Sequence, residues 1–73
     1  MKIQIYNEAL RKKRMELARK QRVPAFMIFS DRSLHDMAKI KPQNEAEFLE
    51  VSGVGQAKMQ KYGATMIQVI KSF

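Results

Sequence analysis

Residues 23–31 read Val23-Pro24-Ala25-Phe26-Met27-Ile28-Phe29-Ser30-Asp31, and this stretch decides the fold. Proline at 24 has no amide hydrogen and pushes Val23 out of helical geometry, so an upstream helix must stop here. Ser30 and Asp31 carry short oxygen-bearing side chains that cap a helix N-terminus, so a new helix can begin at once. The apolar run between these signals is too short to span a membrane and cannot by itself make a sheet. It is expected to form a tight turn that plugs the core of a helical bundle and leaves one or two rings at the surface.

Working outward, the first helix is predicted from about Tyr6 to Arg22. Leu10, Leu17 and Ala18 share one face at a step of about 100° per residue, with Tyr6 and Gln21 extending it. Arg11, Lys12, Arg19 and Arg22 fall together on the outer side, and Lys13 and Lys20 flank its edge. Arg14 stands beside the apolar stripe, where its stem can pack and its guanidinium can reach a carbonyl or acid inside. After the turn, the second helix starts at Ser30 or Asp31 and carries Leu34, Met37 and Ala38 inward, with Ile40 as a further candidate. Lys41-Pro42 stops it. Asn44 followed by Glu47 is a weakened capping box, opening a short helix with Phe48, Leu49 and Val51 turned to the core. Ser52-Gly53-Val54-Gly55 is a turn, and Met59, Tyr62, Met66, Ile67, Ile70 and Phe73 then recur at helical spacing. Gly63 is expected to divide that last segment in two. The fold class is all-α, a compact bundle of four or five short helices in one domain over residues 1–73.

The 73 residues include no cysteine and one histidine, His35, so neither a disulfide nor a zinc site is expected to supplement a small core. Charge is spread unevenly. Residues 1–22 hold eight Lys or Arg against Glu8 and Glu16, a net of +6. Residues 23–51 carry −2, residues 52–73 carry +3, and the whole chain +7. Clustered cations of this kind are the footprint expected for phosphate backbones; a solubilising face or an anionic lipid surface is the alternative. No segment has the length of a spanning helix or the h-region of a signal peptide, so a soluble intracellular protein without membrane contact is expected.

Three features bear on chemistry. Gly53-Val54-Gly55 can turn backbone N–H groups outward at a helix N-terminus, where a phosphate meets unsatisfied donors and the positive end of the helix dipole. Lys58 and Lys61, one turn on, would add charge. Alternatively the glycines only make a tight corner while Val54 plugs the core. Phe29, beside the cap of the second helix, reads as core. Phe26, near the end of the basic helix, is either a second core ring or an exposed ring able to stack on a base. The methionines read as flexible core filler. His35 is expected to face solvent, and Glu45, Glu47 and Glu50 suit the dipole of the third helix. No P-loop and no catalytic dyad is present, so the chain is not expected to be an enzyme or to take a metal or cofactor.

In order, Leu10-Arg11, Arg14, Leu17-Ala18, the whole of 23–31, Leu34, Met37-Ala38, Pro42, Phe48-Leu49, Val51, Gly53-Val54-Gly55, Lys58 and Tyr62-Gly63 resemble the HRDC (helicase and RNase D C-terminal) domain. The details look most like the version at the C-terminus of bacterial RecQ DNA helicases. The resemblance implies a five-helix globule with a short 3₁₀ turn after the first helix. It also implies an accessory role, gripping single-stranded or partially duplex DNA while a separate ATP-dependent motor works. In bacterial relatives the ring of the Val-Pro-x-aromatic turn is associated with single-strand binding, and it maps to Phe26, which replaces the common Tyr. Lys13 stands where the family often has Leu.

The expected function is therefore that of a monomeric, cytoplasmic, nucleoid-associated bacterial domain belonging to a larger helicase. Arg11, Lys12, Arg19, Lys20 and Arg22 would meet phosphates, Phe26 would stack, and Arg32, Lys39 and Lys41 would extend the track. Gly53, Gly55, Lys58 and Lys61 would form a second contact. The rival readings are a protein-interaction module docking on the helicase core or a repair partner, and the HRDC domain of an RNase D-like ribonuclease.

Overall fold

The computed structural model describes the backbone of residues 2–72 and the side chains of residues 8–72. Five helices follow one another: α1 Lys2–Gln21, α2 Ala25–Ile28, α3 Asp31–Ile40, α4 Glu45–Phe48 and α5 Gln56–Lys71. The all-α class is as expected, and no strand occurs among the described residues. Helix α1 packs against α2, α3 and α5, while α4 packs against α5.

Helix α1 begins at Lys2 rather than near Tyr6, because no proline or glycine in Ile3-Gln4-Ile5 interrupts it. The side chain of Tyr6 lies outside the described residues, as does Phe73. At its other end α1 closes in a Schellman motif, with Val23 N–H donating to the Ala18 carbonyl at 3.0 Å and Arg22 N–H to that of Arg19 at 3.2 Å. The left-handed position of this motif usually holds glycine. Here it holds Arg22, at φ 59°. Helix α3 ends similarly at Lys41, φ 52°, whose N–H donates to the Met37 carbonyl at 2.8 Å. Pro42 follows and cannot donate the second bond of a Schellman pair, so the simpler single-bond ending results.

The short turn at α2 has 3₁₀ character at its start and α character at its end. Met27 N–H donates to the Pro24 carbonyl, an i→i+3 bond of 3.0 Å, and Phe29 N–H to that of Ala25, an i→i+4 bond of 3.3 Å. Ser30 then caps α3 by accepting from Ser33 N–H at 3.1 Å. Asn44 caps α4, accepting from Glu47 N–H at 2.9 Å. The reciprocal bond falls one residue early, since Glu47 Oε1 takes the N–H of Gln43 at 2.8 Å.

The core gathers about Phe29, which is 0% exposed. Its ring meets those of Phe48 and Tyr62 edge to face, at 6.1 and 5.6 Å between centroids. Leu10, Ala18, Ile28, Leu34, Met37, Met66 and Ile70 close around them. Three further expectations need correction. Gly63 does not break the last segment, because α5 runs through it. A Cβ there would stand 3.2 Å from Met59 Sδ and 3.7 Å from Phe48 Cδ2, so glycine serves close packing between α5 and α4. Ile40 is 38% exposed, because α3 ends at that residue and no further turn covers it. Finally, not every methionine fills the core: Met37, Met59 and Met66 do, whereas Met15 and Met27 face outward.

Candidate nucleic-acid interface

The turn that carries Phe26 is held from beneath. Ala25 and Ile28, one helical turn apart, pack inward, and Phe29 anchors the exit in the aromatic core. Arg14 Nη1 donates to the Phe29 carbonyl at 2.8 Å and Nη2 meets Asp31 at 2.9 Å, so one buried guanidinium ties α1 to both the turn and the start of α3. With residues 25 and 28 turned in, residues 26 and 27 must point out. Phe26 is 67% exposed and Met27 56%. The Phe26 ring is thus outside, on a rigid support. The exposure of Met27 was legible in the same i, i+3 pattern, although a compact apolar run reads more simply as core.

The cations expected beside this ring divide into groups. Arg11, Lys12 and Arg19 line one shallow depression on the outer face of α1, as their spacing predicts, with Met15 between them. Glu8 and Glu16 line it too, so the face alternates in sign, and Lys13 Nζ pairs with Glu16 at 3.1 Å. Arg11 also borders a cleft between α1 and α3 with Asp31, Leu34 and His35, and His35 is exposed. Lys20 and Arg22 are exposed where α1 ends, immediately before the Phe26 turn.

Arg32 and Lys39 are exposed on α3, where both act on the carboxylate of Asp36. They border a different feature, the corner between α4 and α5. Here Asp36 Oδ2 accepts from Ser52 N–H at 3.0 Å, and the buried Ser33 hydroxyl donates to the Ser52 carbonyl at 2.6 Å. The Ser52 hydroxyl and N–H together hold Asp36 below its ordinary carboxylate pKa. This staple was not anticipated. Its sequence signal is the i, i+3 spacing of two small polar residues, Ser33 and Asp36, on α3.

Gly53 sits at φ 78°, and a Cβ there would lie 2.9 Å from Ser33 Oγ, so this glycine is required by the corner itself. Val54 is buried, as the corner reading expects. Gly55 is different: it caps α5 without a side chain, and a Cβ there would meet nothing within 4 Å. Lys58 Nζ lies 5.6 Å from the centre of the Phe29 ring and Lys61 Nζ 5.7 Å from that of Tyr62, so both ammonium groups already rest against aromatic faces. Lys41 is exposed at the end of α3. Among the described residues no group of His, Asp or Glu could hold a metal ion, and no helix is long and apolar enough to cross a membrane.

Comparison with known proteins places these features in a family context. The family model described as the HRDC domain matches residues 7–70. The chain is 42% identical over 66 residues to the ATP-dependent DNA helicase RecQ of Bacillus subtilis (strain 168), covering 90% of this chain and 11% of that protein. It is 31% identical over 58 residues to the ATP-dependent DNA helicase UvrD2 of Mycobacterium bovis, covering 80% of this chain and 8% of the relative. The chain thus spans about a tenth of the length of the curated relatives it matches. Among solved structures it is similar to the D. radiodurans RecQ HRDC domain 3, with a TM-score of 0.89 and 33% identity, over 92% of this chain and 88% of that one.

Proposed function

The chain belongs to the HRDC domain family, and from that premise we propose that it is the accessory DNA-binding domain of a RecQ-type, ATP-dependent helicase. It grips single-stranded or partially duplex DNA and leaves catalysis to a motor elsewhere in the parent protein, in the cytoplasm of a bacterium. The observation that carries this reading is Phe26, a phenyl ring 67% exposed on a locked turn directly after the cationic end of α1. A base can lie on that ring whatever its identity, while Arg19, Lys20 and Arg22 meet the flanking phosphates. Arg11 and Lys12 continue the contact along α1. Arg32 and Lys39 on α3 and Lys41 just past its end, with Gly53, Gly55, Lys58 and Lys61 at the corner, offer a second phosphate contact for a junction. The helicases among the relatives support a helicase parent over an RNase D-like one.

A salt titration of a labelled dT oligonucleotide tests the reading. Log affinity should fall against log salt by about 0.7 for each phosphate contacted, and Phe26→Ala should weaken binding with the thermal transition unchanged. A flat salt dependence would remove the electrostatic mechanism. A second reading has its own support: Glu8 and Glu16 interrupt the cations of α1, and Met15 between them is 47% exposed. That mixed face suits docking on the helicase core of the same polypeptide. Capture of the isolated core with no oligonucleotide shift would favour it.

A further inference from the structure

We propose that Met27 is a second base-contacting residue, forming with Phe26 a ledge that holds two successive unpaired nucleotides; this rests on the DNA-binding reading above. Single exposed apolar residues are common and carry no meaning by themselves. These two are adjacent, both more than half exposed, and share a turn in which Ala25 packs against the core and Ile28 and Phe29 are buried in it. Pro24 sets the entry at φ −62°, Ile28 and Phe29 are buried, and Arg14 holds the exit. The ledge therefore cannot fold its side chains inward to hide them. A domain this small is short of core, yet more than half of the Met27 surface is left outside it.

The geometry assigns the two side chains to different bases. Neighbouring positions of a helical turn diverge by about 100°, so one base cannot lie flat on both. If the Phe26 ring takes one base, the next along the strand meets the Met27 thioether. That group is flexible and polarisable, and makes favourable contact with aromatic rings whatever their substituents. It can follow a mobile strand without selecting sequence. Arg22 precedes the ledge and supplies charge for the phosphates of those nucleotides.

The test uses the full 73-residue chain with a labelled dT oligonucleotide at low salt. Met27→Ala should weaken binding about two- to tenfold and Met27→Leu should retain most of it, with thermal unfolding unchanged in both. Phe26→Ala should cost about fivefold or more, and the double variant should bind more weakly than either single variant. In the wild type, the Met27 methyl resonance should move upfield when oligonucleotide is added, from the ring current of a stacked base. If Met27→Ala binds as the wild type does and that methyl stays still while Phe26→Ala weakens binding, the ledge is wrong and the DNA-binding reading stands. If the wild type does not bind the oligonucleotide at all, both fall.

Discussion

Arg14 Nη1 and the carbonyl oxygen of Phe29 are 2.8 Å apart, joining the middle of α1 to the exit of the turn fifteen residues on. The carbonyl is buried, and this bond decides where the turn sits relative to the basic helix. Replacing Arg14 by Leu keeps apolar bulk but strands that oxygen, which costs about 1–3 kcal/mol. Urea unfolding should read this loss. Asp31→Asn should cost under about 1 kcal/mol, because Asp31 is exposed and screened by solvent. The Arg14 variant should also bind oligonucleotide more weakly, since the support of Phe26 loosens.

Arg22 occupies a left-handed backbone position where glycine is the unstrained choice. Arg22→Gly should raise stability by about 1 kcal/mol through relief of that conformation. The same change removes a cation beside Phe26. Oligonucleotide affinity at low salt should therefore fall, and the salt slope should shrink by about 0.7. Higher melting temperature with weaker binding would mark a residue kept for its charge rather than its geometry.

The two glycines of the corner should respond differently to alanine. Gly53→Ala meets both a positive φ and Ser33 Oγ at 2.9 Å, and should destabilise by about 1–3 kcal/mol in thermal or urea unfolding. Gly55→Ala has open space and an ordinary φ of −105°, and should stay within about 1 kcal/mol of the wild type. Equal losses at both positions would mean that the Ser33 contact does not shape the corner.

Asp36 makes stability depend on acid. Its folded pKa lies below the ordinary 3.8 because the Ser52 hydroxyl and N–H bond the carboxylate. Below 3.8 the unfolded chain takes up this proton more readily than the folded one, so stability falls as pH drops through that range. The contribution is complete above the ordinary value and lost below the lowered one. Melting temperatures between pH 5 and about 2.5 should fall more steeply for the wild type than for Asp36→Asn.

How much of this was legible beforehand depended on whether the cause was local. Pro24, the caps at Ser30 and Asn44, and the stop at Lys41-Pro42 act through neighbouring backbone, so they could be read without a fold. Arg14 at the edge of an apolar stripe was readable for the same reason. The break expected at Gly63 failed because helix propensity is a weak local preference. Contact with Phe48, fifteen residues away, overrides it.

From the amino acids alone came the all-α class, the stops at Pro24 and Lys41-Pro42, the starts at Ser30 and Asn44, and a cationic first helix, because each follows from backbone chemistry over a few residues or from helical spacing. Only the assembled structure decided that Phe26 stays out rather than joining Phe29 in the core, and that Ser33 and Asp36 grip Ser52. Those outcomes depend on which distant surfaces meet when the core closes. Apolar burial has no direction of its own, so the side of a one-turn helix that faces water is set by what packs against the other.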